Sequence, residues 1–429
     1  NLTMNSKMET NTMIVQNNKL DRVTGSFMTL NPSLSHNIYV PLYSLGLSSS
    51  DRGWYLLYSN GVKIMIGLFV CSEFWYLFSA SANLDGIIDN INVTLIHLIA
   101  IYRYRSLMKN TEIYKKLSRA MQSPYFDVAT SKRKELIAFW MERNESYFKL
   151  LLSLGTCTLT AWYIYPLVDD IEYNLTVAVR LPFYYRSPTR YALTYIAVLV
   201  AFHYISYFVM VNDLIMQAYL MHLLCQYAVL ADCFENILPD CSVGFENLDK
   251  NKLVMNHAFQ EKFVKRLGDL VNQHKFILTN TLELRRILNT PMLFQFAASS
   301  MLICFAGYQV TITANITKFL MSLLYLGYNM FELFIFCRWC DEIKIQGEYI
   351  REAVYSCGWE GGIATVPGVR SRLMLVIARA SKPLVLSAGG LYDLSLHSYT
   401  TVSDAPVRSN GWRSFLWLIN KSIKIKTNT

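Results

Sequence analysis

The chain has 429 residues, of which 53% are hydrophobic and only 17% are charged, and its mean hydropathy is +0.23. A water-soluble domain of this size usually carries more charge, so the composition predicts an all-α membrane protein. The net charge of +9 is explained by basic residues on the inner side of a membrane and by contact with anionic membrane lipid. No nucleic-acid partner is predicted.

Residues 1–60 are polar, and we predict that they form a cytoplasmic N-terminal segment. A short amphipathic helix is expected at the membrane surface around Trp54 to Leu57. No cleaved signal peptide is recognisable. Because the first residue is Asn1 rather than methionine, we expect the chain to continue upstream.

Residues 61–403 contain seven segments close to the roughly 20 apolar residues that a spanning helix requires. Three of them contain no Asp, Glu, Lys or Arg: Leu150 to Val168, Tyr191 to Asn212 and Pro291 to Thr317. The other four are Gly61 to Ala80, Ile87 to Tyr102, Phe319 to Cys337 and Arg372 to Val402. The sequence therefore predicts seven transmembrane helices, numbered here as spans one to seven in chain order.

The apolar pattern continues beyond the thickness of a bilayer. A helix is expected to extend from span four to Pro239, and another, Leu253 to Leu288, to lead back to span five. A break at Ser123-Pro124 is predicted in the helical segment between spans two and three. Helices outside the membrane need packing partners for their apolar stripes. We therefore predict projecting intracellular anchor helices at about 213–290 and 338–382.

The distribution of basic residues predicts the orientation. With a cytoplasmic N-terminus, 31 of the 40 Lys and Arg residues fall in inner segments and 4 in outer loops. Because positive charge concentrates on the cytoplasmic side, this orientation is favoured, and seven spans then make the C-terminus extracellular. Asn174, in the sequence Asn-Leu-Thr, lies in a sizeable outer loop and is the predicted glycosylation site.

The cysteines and short motifs indicate neither a metalloprotein nor an enzyme. The outer loops around Asp85 and at residues 169–190 contain no cysteine, so no disulfide is predicted there. Cys337 and Cys340 have metal-ligand spacing, but no second Cys or His pair completes a tetrahedral site. No phosphate-binding glycine motif is present. We predict no metal and no cofactor.

Residues near the C-terminus carry a family resemblance. They are Arg379, Lys382-Pro383, Ala388-Gly389-Gly390, Ser395-Leu396 and Tyr399-Thr400-Thr401-Val402. In this order and spacing they resemble the seventh segment of insect odorant receptors. The segment before it in that family resembles the residues Cys340, Glu342, Glu348, Tyr355 and Trp359 of this chain. The second outer loop of the family resembles Leu181-Pro182-Phe183, Ser187-Pro188 and Tyr191, although the gap between these motifs is shorter in this chain. The resemblance extends from about residue 60 to residue 402.

The resemblance implies a function. Such a chain would be an odorant receptor subunit in the plasma membrane of olfactory neuron dendrites, acting as an odorant-gated, nonselective cation channel. It would form a heterotetramer with the co-receptor subunit shared within the family, around a central pore and an intracellular anchor. Val402 matches the position of an apolar gate residue, which blocks ions by dewetting. Neither a cofactor nor enzyme chemistry is implied.

The resemblance also implies a pocket for a small volatile odorant among spans two, three, four and six. Aromatic residues are frequent in spans three, four and six, and they suit an apolar pocket. The candidate ligand-binding residues are Gly155, Thr158, Trp162, His203, Ser206, Tyr207, Tyr325, Tyr328 and Asn329. A role in the core of the bundle is the open alternative for each aromatic residue. For His203, a hydrogen-bonded structural role is at least as favoured as ligand contact.

Three other functions are open. A gustatory-type receptor channel of the same superfamily is disfavoured by the pattern Lys382-Pro383 and Ala388-Gly389-Gly390. A G-protein-coupled receptor has the opposite orientation and is disfavoured by the basic residues and by the outer loops without cysteine. A transporter is disfavoured because the chain has no recognisable internal repeat.

Residues 404–429 depart from the resemblance. The family continues there with an unbroken apolar helix, whereas this chain has Asp404, Pro406 and Arg408 and five bases after Val402. Pro406 is expected to break the helix, and the charges are costly at bilayer depth. An altered reading frame or an alternative splice form accounts for this atypical tail. We expect this form of the chain to make a defective, poorly conducting pore.

Overall fold

The computed structural model describes residues 45–46, 53–79, 84–120, 126–168, 173–245, 250–312, 315–382 and 384–408. Most of the predicted N-terminal segment, the predicted break at Ser123-Pro124, Pro383 and the tail from residue 409 onward lie outside these residues.

The described chain is almost entirely helical. The first five helices are α1 (Gly53–Ser79), α2 (Leu84–Lys109), α3 (Thr111–Ala120), α4 (Ser131–Val168) and α5 (Pro188–Glu235). These are followed by α6 (Ile237–Ser242), α7 (Lys250–Met255), α8 (His257–Ile312), α9 (Ile316–Tyr355), a 3₁₀ turn (Ile363–Thr365) and α10 (Val369–Ala380). The last elements are β1 (Ser387–Ala388), β2 (Tyr392–Asp393) and α11 (Leu396–Arg408).

Within the described residues, five helices are long and apolar enough to cross a membrane: α1, α4, α5, α8 and α9. The predicted all-α membrane fold is therefore confirmed. The count of seven spans stays a prediction, because α2 and α11 are not among the five. The orientation of the termini also stays a prediction.

Local sequence signals explain where two of the long helices begin. Pro188 is the first residue of α5, a position where its missing amide hydrogen costs no hydrogen bond, and Ser187 precedes it. Asn315 caps α9, because its side-chain oxygen accepts a hydrogen bond from the amide of Thr317 at 2.9 Å. Both starts follow the loops predicted on the outer side.

Several helices are much longer than a bilayer is thick. The 48 residues of α5 and the 56 residues of α8 correspond to about 70 and 85 Å at 1.5 Å per residue. The hydrocarbon core of a membrane is only about 30 Å thick. Both helices must therefore extend well beyond it, and α9 packs against both of them and against α4.

Three predicted boundaries differ from those of the structure. Trp54 to Leu57 belong to α1 and do not form a separate surface helix. The helix from span four ends at Glu235, and the short α6 follows it, so one continuous helix to Pro239 is wrong. The predicted separation before Pro291 is also absent, because α8 continues through this proline. Neighbouring helices in membrane bundles satisfy the backbone groups that an internal proline leaves free.

The segment predicted as span seven is divided into three elements. Residues 372–380 belong to α10, the two-stranded hairpin of β1 and β2 follows, and α11 begins at Leu396. The 13 residues of α11 are fewer than a complete span needs. Pro406 lies inside α11, which continues to Arg408, the last described residue. The helix break predicted at Pro406 is therefore wrong within the described residues.

The hairpin explains the paired glycines of the sequence. Gly389 and Gly390 have φ angles of +64° and +71°, which favour glycine. The amide of Gly389 donates a hydrogen bond to the carbonyl oxygen of Asn289 at 2.9 Å. A Cβ atom on Gly389 would lie 2.7 Å from a methyl group of Leu293, so the hairpin approaches α8 too closely for any side chain there.

The best-enclosed part of the molecule is the inner half of α5, where every residue from Phe208 to Phe234 is buried. We define the anchor region as residues 214–235 of α5 with the segments that pack on them. Arg133 of α4 is 2% exposed there and binds three carboxylates. Its Nε lies 2.9 Å from Asp232 and its Nη1 lies 2.8 Å from Asp127, while Nη2 binds Asp240. This ion cluster joins α4 to α5 and α6.

Candidate functional site

A cavity of about 60 Å³ lies between α2, α4, α5 and α9, which contain predicted spans two, three, four and six. Six of the nine predicted site residues line it: Gly155, Thr158, Trp162, Ser206, Tyr325 and Tyr328. They come from three helices that are far apart in the sequence. The fold therefore brings most of the predicted set together around one space.

Aromatic rings form most of the outer wall of this cavity. The ring of Trp162 packs against Phe202 of α5 with centroids 5.5 Å apart, and against Tyr325 of α9 with centroids 5.9 Å apart. The hydroxyl of Tyr325 donates a hydrogen bond to the carbonyl oxygen of Asn92 at 3.0 Å. These contacts fix the rings in place, so the wall is apolar and largely preformed.

The floor is formed where α4 approaches α5 and α9. Gly155 is buried against Met210, and the position of a Cβ atom on Gly155 would overlap the sulfur of Met210. The same Cβ position lies 3.2 Å from a ring carbon of Tyr328. The missing side chain of Gly155 therefore leaves room for the sulfur of Met210. Met210 is an adaptable wall because its thioether chain has several rotatable bonds.

Two polar groups stand out among the apolar lining. The indole nitrogen of Trp162 is buried and has no hydrogen-bond partner among the described residues. His97 is 1% exposed, and its Nδ1 lies 3.1 Å from both carboxylate oxygens of Glu73 on α1. Buried polar groups normally have partners. An acceptor oxygen of a bound molecule would satisfy the Trp162 donor.

Below the cavity, a buried polar cluster joins four helices through Arg103. Its Nη1 donates hydrogen bonds to Asp213 and, at 3.0 Å, to Gln295, whose Nε2 lies 2.7 Å from Glu332. The hydroxyl of Tyr328 donates to Asp213 at 3.3 Å. Tyr328 thus touches the cavity with its ring and the charged cluster with its hydroxyl. A molecule that displaces this ring would disturb both.

The other three predicted site residues do not line the cavity. His203 is exposed on α5, where its Nδ1 lies 3.0 Å from the hydroxyl of Tyr163. Tyr207 packs on His203 with ring centroids 4.6 Å apart. Asn329 is completely buried, and its side-chain amide donates to the carbonyl oxygen of Tyr325 at 2.8 Å. The helical phase of each residue directs it away from the space between the four helices.

Seven further lining residues were not predicted. They are Val93, Ile96, His97, Leu159, Phe202, Val209 and Met210. His97 had a sequence signal, because it is an ionisable residue within an apolar span. The aliphatic residues and Met210 had none, since any apolar span contains many such side chains.

The two remaining predicted positions lie elsewhere. Val402 is half-buried on α11, within the part of that helix that packs near α9. Asn174 is half-buried in the loop before α5, and the following Leu175 and Thr176 are buried. Both roles, gate and glycan acceptor, stay predictions.

In the described part of the chain, no group of three or more His, Cys, Asp or Glu side chains is placed to hold a metal ion. The long apolar helices, several of them around a small apolar cavity, define a multi-pass helical membrane protein.

The model of the family described as 7tm Odorant receptor matches residues 83–405, and the chain belongs to this family. Odorant receptor 13a of Drosophila melanogaster is 20% identical over 384 residues, which are 83% of this chain and 88% of that protein. Odorant receptor 94a of the same species is 22% identical over 321 residues, 72% of this chain and 75% of that protein. Family and fold are of a receptor or channel type and not of a known enzyme family.

The fold is similar to a solved structure, that of the insect olfactory receptor OR5 from Machilis hrabei in complex with eugenol. The TM-score is 0.75 at 18% identity, and the match covers 92% of this chain and 99% of that one. The structure of the same receptor described without a ligand matches with a TM-score of 0.74. At this identity the similarity concerns the fold alone.

Proposed function

We propose that this odorant receptor binds a small volatile molecule in the cavity between α2, α4, α5 and α9. The observation that supports this most strongly is that Gly155 and Trp162 of α4 and Tyr328 of α9 line one apolar space. A receptor with a similar fold is described in complex with eugenol, and we extend small-molecule binding from that protein to this one.

The lining suggests the chemistry of the ligand. The cavity walls are apolar and aromatic, which favours a small organic molecule with little charge. The unpartnered Trp162 nitrogen favours an acceptor oxygen, such as that of an alcohol, ether, ester or ketone. A water molecule occupies about 30 Å³ in the liquid, so a cavity of about 60 Å³ must widen to admit an odorant. Rotation of Met210 is the simplest way to widen it.

We further propose that the subunit forms a nonselective cation channel with the family's shared co-receptor, as a heterotetramer in the plasma membrane of sensory dendrites. Ligand binding would favour an open arrangement of α11, by binding that arrangement more tightly than the closed one. Val402 would act as the apolar gate, and the N-terminus would be cytoplasmic. Asn174 is the proposed glycan acceptor.

The structure contains a physical route for this coupling. Tyr328 joins the cavity to the Arg103 cluster through Asp213, and α9, which contains Tyr328, also packs against α11. The ring of Phe334 on α9 contacts Tyr399 of α11 with centroids 5.6 Å apart. Displacement of α9 by a ligand would therefore reach α11 directly.

The test is expression with and without the co-receptor, with currents measured against a panel of volatile molecules. We expect a subset of oxygen-containing odorants to evoke currents only when both subunits are present. Trp162→Phe, which removes the indole donor and keeps an aromatic ring, should reduce sensitivity to these odorants more than to hydrocarbons of the same size. Equal loss for both ligand classes would contradict the donor role of Trp162.

The alternative function and the atypical tail each have a test of their own. A gustatory-type channel is the alternative function, and responses to soluble tastants but to no volatile would favour it. The tail from residue 404 onward is expected to give a defective pore. Replacing residues 404–429 by an apolar helix of the family type should then increase the current at unchanged odorant sensitivity, and equal currents from both forms would refute that expectation.

A further inference from the structure

A second cavity, well separated from the ligand pocket, lies between the end of α2, the start of α3 and the middle of α8. Its volume is about 700 Å³, and its lining includes Arg105, Lys109 and Arg286. All three side chains are exposed. None of them forms an ion pair within the part of the chain that the structure describes. We call these three residues the basic rim.

The acidic residue in the lining of this cavity is already paired with a base. Glu283 also lines this cavity, but both of its carboxylate oxygens accept hydrogen bonds from Lys116, at 2.8 and 2.9 Å. The ion pair connects α3 to α8 and closes one side of the cavity. The cavity therefore has an excess of positive charge, and a ligand with a negative charge would complement it.

The position of the cavity along the helices matches a membrane boundary. At the opposite end of the α2–α8 contact, Asp89 forms an ion pair with Lys318 at 3.1 Å. Asp89 and Lys109 both belong to α2 and are about 30 Å apart along its axis at 1.5 Å per residue. This distance equals the thickness of a hydrocarbon core. With α2 as the predicted second span, the basic rim would lie at the depth of lipid phosphate groups.

An aromatic pair continues the cavity on its membrane side. The rings of Tyr102 and Phe294 meet edge to face, with centroids 5.2 Å apart at 76°. Both are large exposed side chains, with 40% and 51% of their surface accessible. Aromatic residues at this depth are typical of membrane interfaces. A water-soluble anion would leave this apolar surface uncovered, whereas the glycerol backbone and acyl chains of a lipid would cover it.

We propose that this cavity binds the headgroup of an anionic membrane phospholipid, with its phosphate at the basic rim and its acyl chains along Tyr102 and Phe294. The site ties α2, α3 and α8 together at the side where the long helices leave the membrane. The proposal depends on α2 and α8 lying in a membrane and not on odorant binding, so failure of either proposal leaves the other intact.

The test uses the purified full chain in detergent micelles and fluorescent phosphatidylserine as the probe, with binding followed by anisotropy. Unlabelled phosphatidylcholine and the water-soluble glycerophosphoserine are the competitors. The variant Arg105→Gln/Lys109→Gln/Arg286→Gln removes the basic rim. The matched control Lys134→Gln/Lys265→Gln/Lys275→Gln removes as much charge from exposed positions elsewhere.

We expect saturable binding by the unmodified chain, with unlabelled phosphatidylserine competing far better than phosphatidylcholine. Each base near an anionic surface contributes roughly fivefold to affinity, so the rim variant should bind about 100-fold more weakly. The control variant should bind within about twofold of the unmodified chain. Phe294→Ala should also weaken lipid binding, because it removes surface that the acyl chains cover.

Three results would overturn the proposal. Absence of saturable binding, or equal losses in the rim and control variants, would show that no specific site exists. Competition by glycerophosphoserine as strong as by intact lipid would assign the cavity to a soluble anion. If the triple variant elutes as aggregate, the pair Arg286→Gln and Arg286→Lys replaces it. Binding about fivefold weaker in the first variant and unchanged in the second supports the site, and equal binding in both contradicts it.

Discussion

The anchor region and the pocket region are built from the same helices, α4, α5 and α9, but on different principles. In the anchor region every residue of α5 is enclosed except Glu235 at its end, and Arg133 satisfies three carboxylates. In the pocket region α5 alternates between buried and exposed positions, with Leu193 67% and Ile196 59% exposed. There the helices enclose a cavity and leave the nitrogen of Trp162 without a partner. One region is packed almost completely, whereas the other retains space for a ligand.

This difference predicts where substitutions affect folding and where they affect signalling. The largest effect is expected for Arg133→Met in the anchor region. Removing the guanidinium leaves the buried Asp232 with the exposed Lys132 as its remaining cationic partner, and breaking a buried ion pair in this way costs up to about 3–5 kcal/mol. The measurement is the thermal unfolding of the detergent-solubilised protein.

Lys132→Gln is the control for Arg133. Lys132 is adjacent in sequence and binds the same Asp232 at 3.0 Å, but its side chain is 67% exposed. Exposed ion pairs contribute about 0–1 kcal/mol. Comparable destabilisation by the two substitutions would show that the ion cluster does not hold the anchor region together.

Truncating one aromatic residue in each region compares the packing directly. Phe234 is completely buried in the anchor region, and Phe234→Ala should destabilise the protein by about 3–5 kcal/mol. Trp162 borders the cavity, so part of its ring has no packed neighbour, and Trp162→Ala should destabilise the protein less than Phe234→Ala. It should also shift the odorant dose-response curve. Equal unfolding temperatures for the two variants, or an unchanged dose-response curve for Trp162→Ala, would contradict the comparison.

A single methyl group should reduce odorant sensitivity. In Gly155→Ala the new Cβ atom would occupy space between Met210 and Tyr328, so we expect an increase of about tenfold in the odorant concentration for half-maximal current. One methylene in an apolar pocket typically contributes 10-fold or more. Gly327→Ala on α9 is the control, because nothing lies within 4 Å of its Cβ position. The same loss of sensitivity in the control would show that the effect of Gly155→Ala is not steric.

The smallest effect is the acid sensitivity of the anchor region. Burial raises the pKa of Asp127, but the amide of Ala129 and the guanidinium groups of Arg266 and Arg133 outweigh it and hold that pKa below its ordinary value of 3.8. The charged form therefore stabilises the fold above about pH 4, and this contribution is lost as the pH falls through the lowered pKa. Between pH 5 and 3, about the window of this titration, Asp127→Asn should make the unfolding temperature fall less steeply. Parallel curves would exclude Asp127 as a contributor.

Much of the fold was predictable because membrane helices have strong sequence signals. The apolar composition, the charge-free spans and the motif ending at Val402 established the membrane class and the odorant receptor family. Helix boundaries were less predictable. A proline usually ends a helix in a water-soluble protein, but Pro291 lies inside α8. In a membrane bundle, neighbouring helices can satisfy the backbone groups that such a proline leaves free. The division of the last predicted span was also missed, because the hairpin is attached to α8 by a hydrogen bond from Gly389 to Asn289, which is distant in the sequence.

The candidate site was predictable in part. Aromatic content and helical spacing identified Trp162 and Tyr328 correctly as neighbours of one space. The phase of α5 was not fixed by its sequence, because that helix is apolar on all sides. The predicted residues His203 and Tyr207 therefore lie outside the lining of this cavity. Met210 was missed because its sulfur fills the place that a side chain at Gly155 would take, and only the packing of two helices reveals this contact.

The most direct test of the central claim is a structure of this subunit, assembled with the co-receptor, in the presence of an activating odorant. We predict ligand density between α4, α5 and α9, in contact with Trp162 and Tyr328, with Met210 displaced from its position against Gly155. Density at any other place in the subunit, with this cavity unchanged, would contradict the claim.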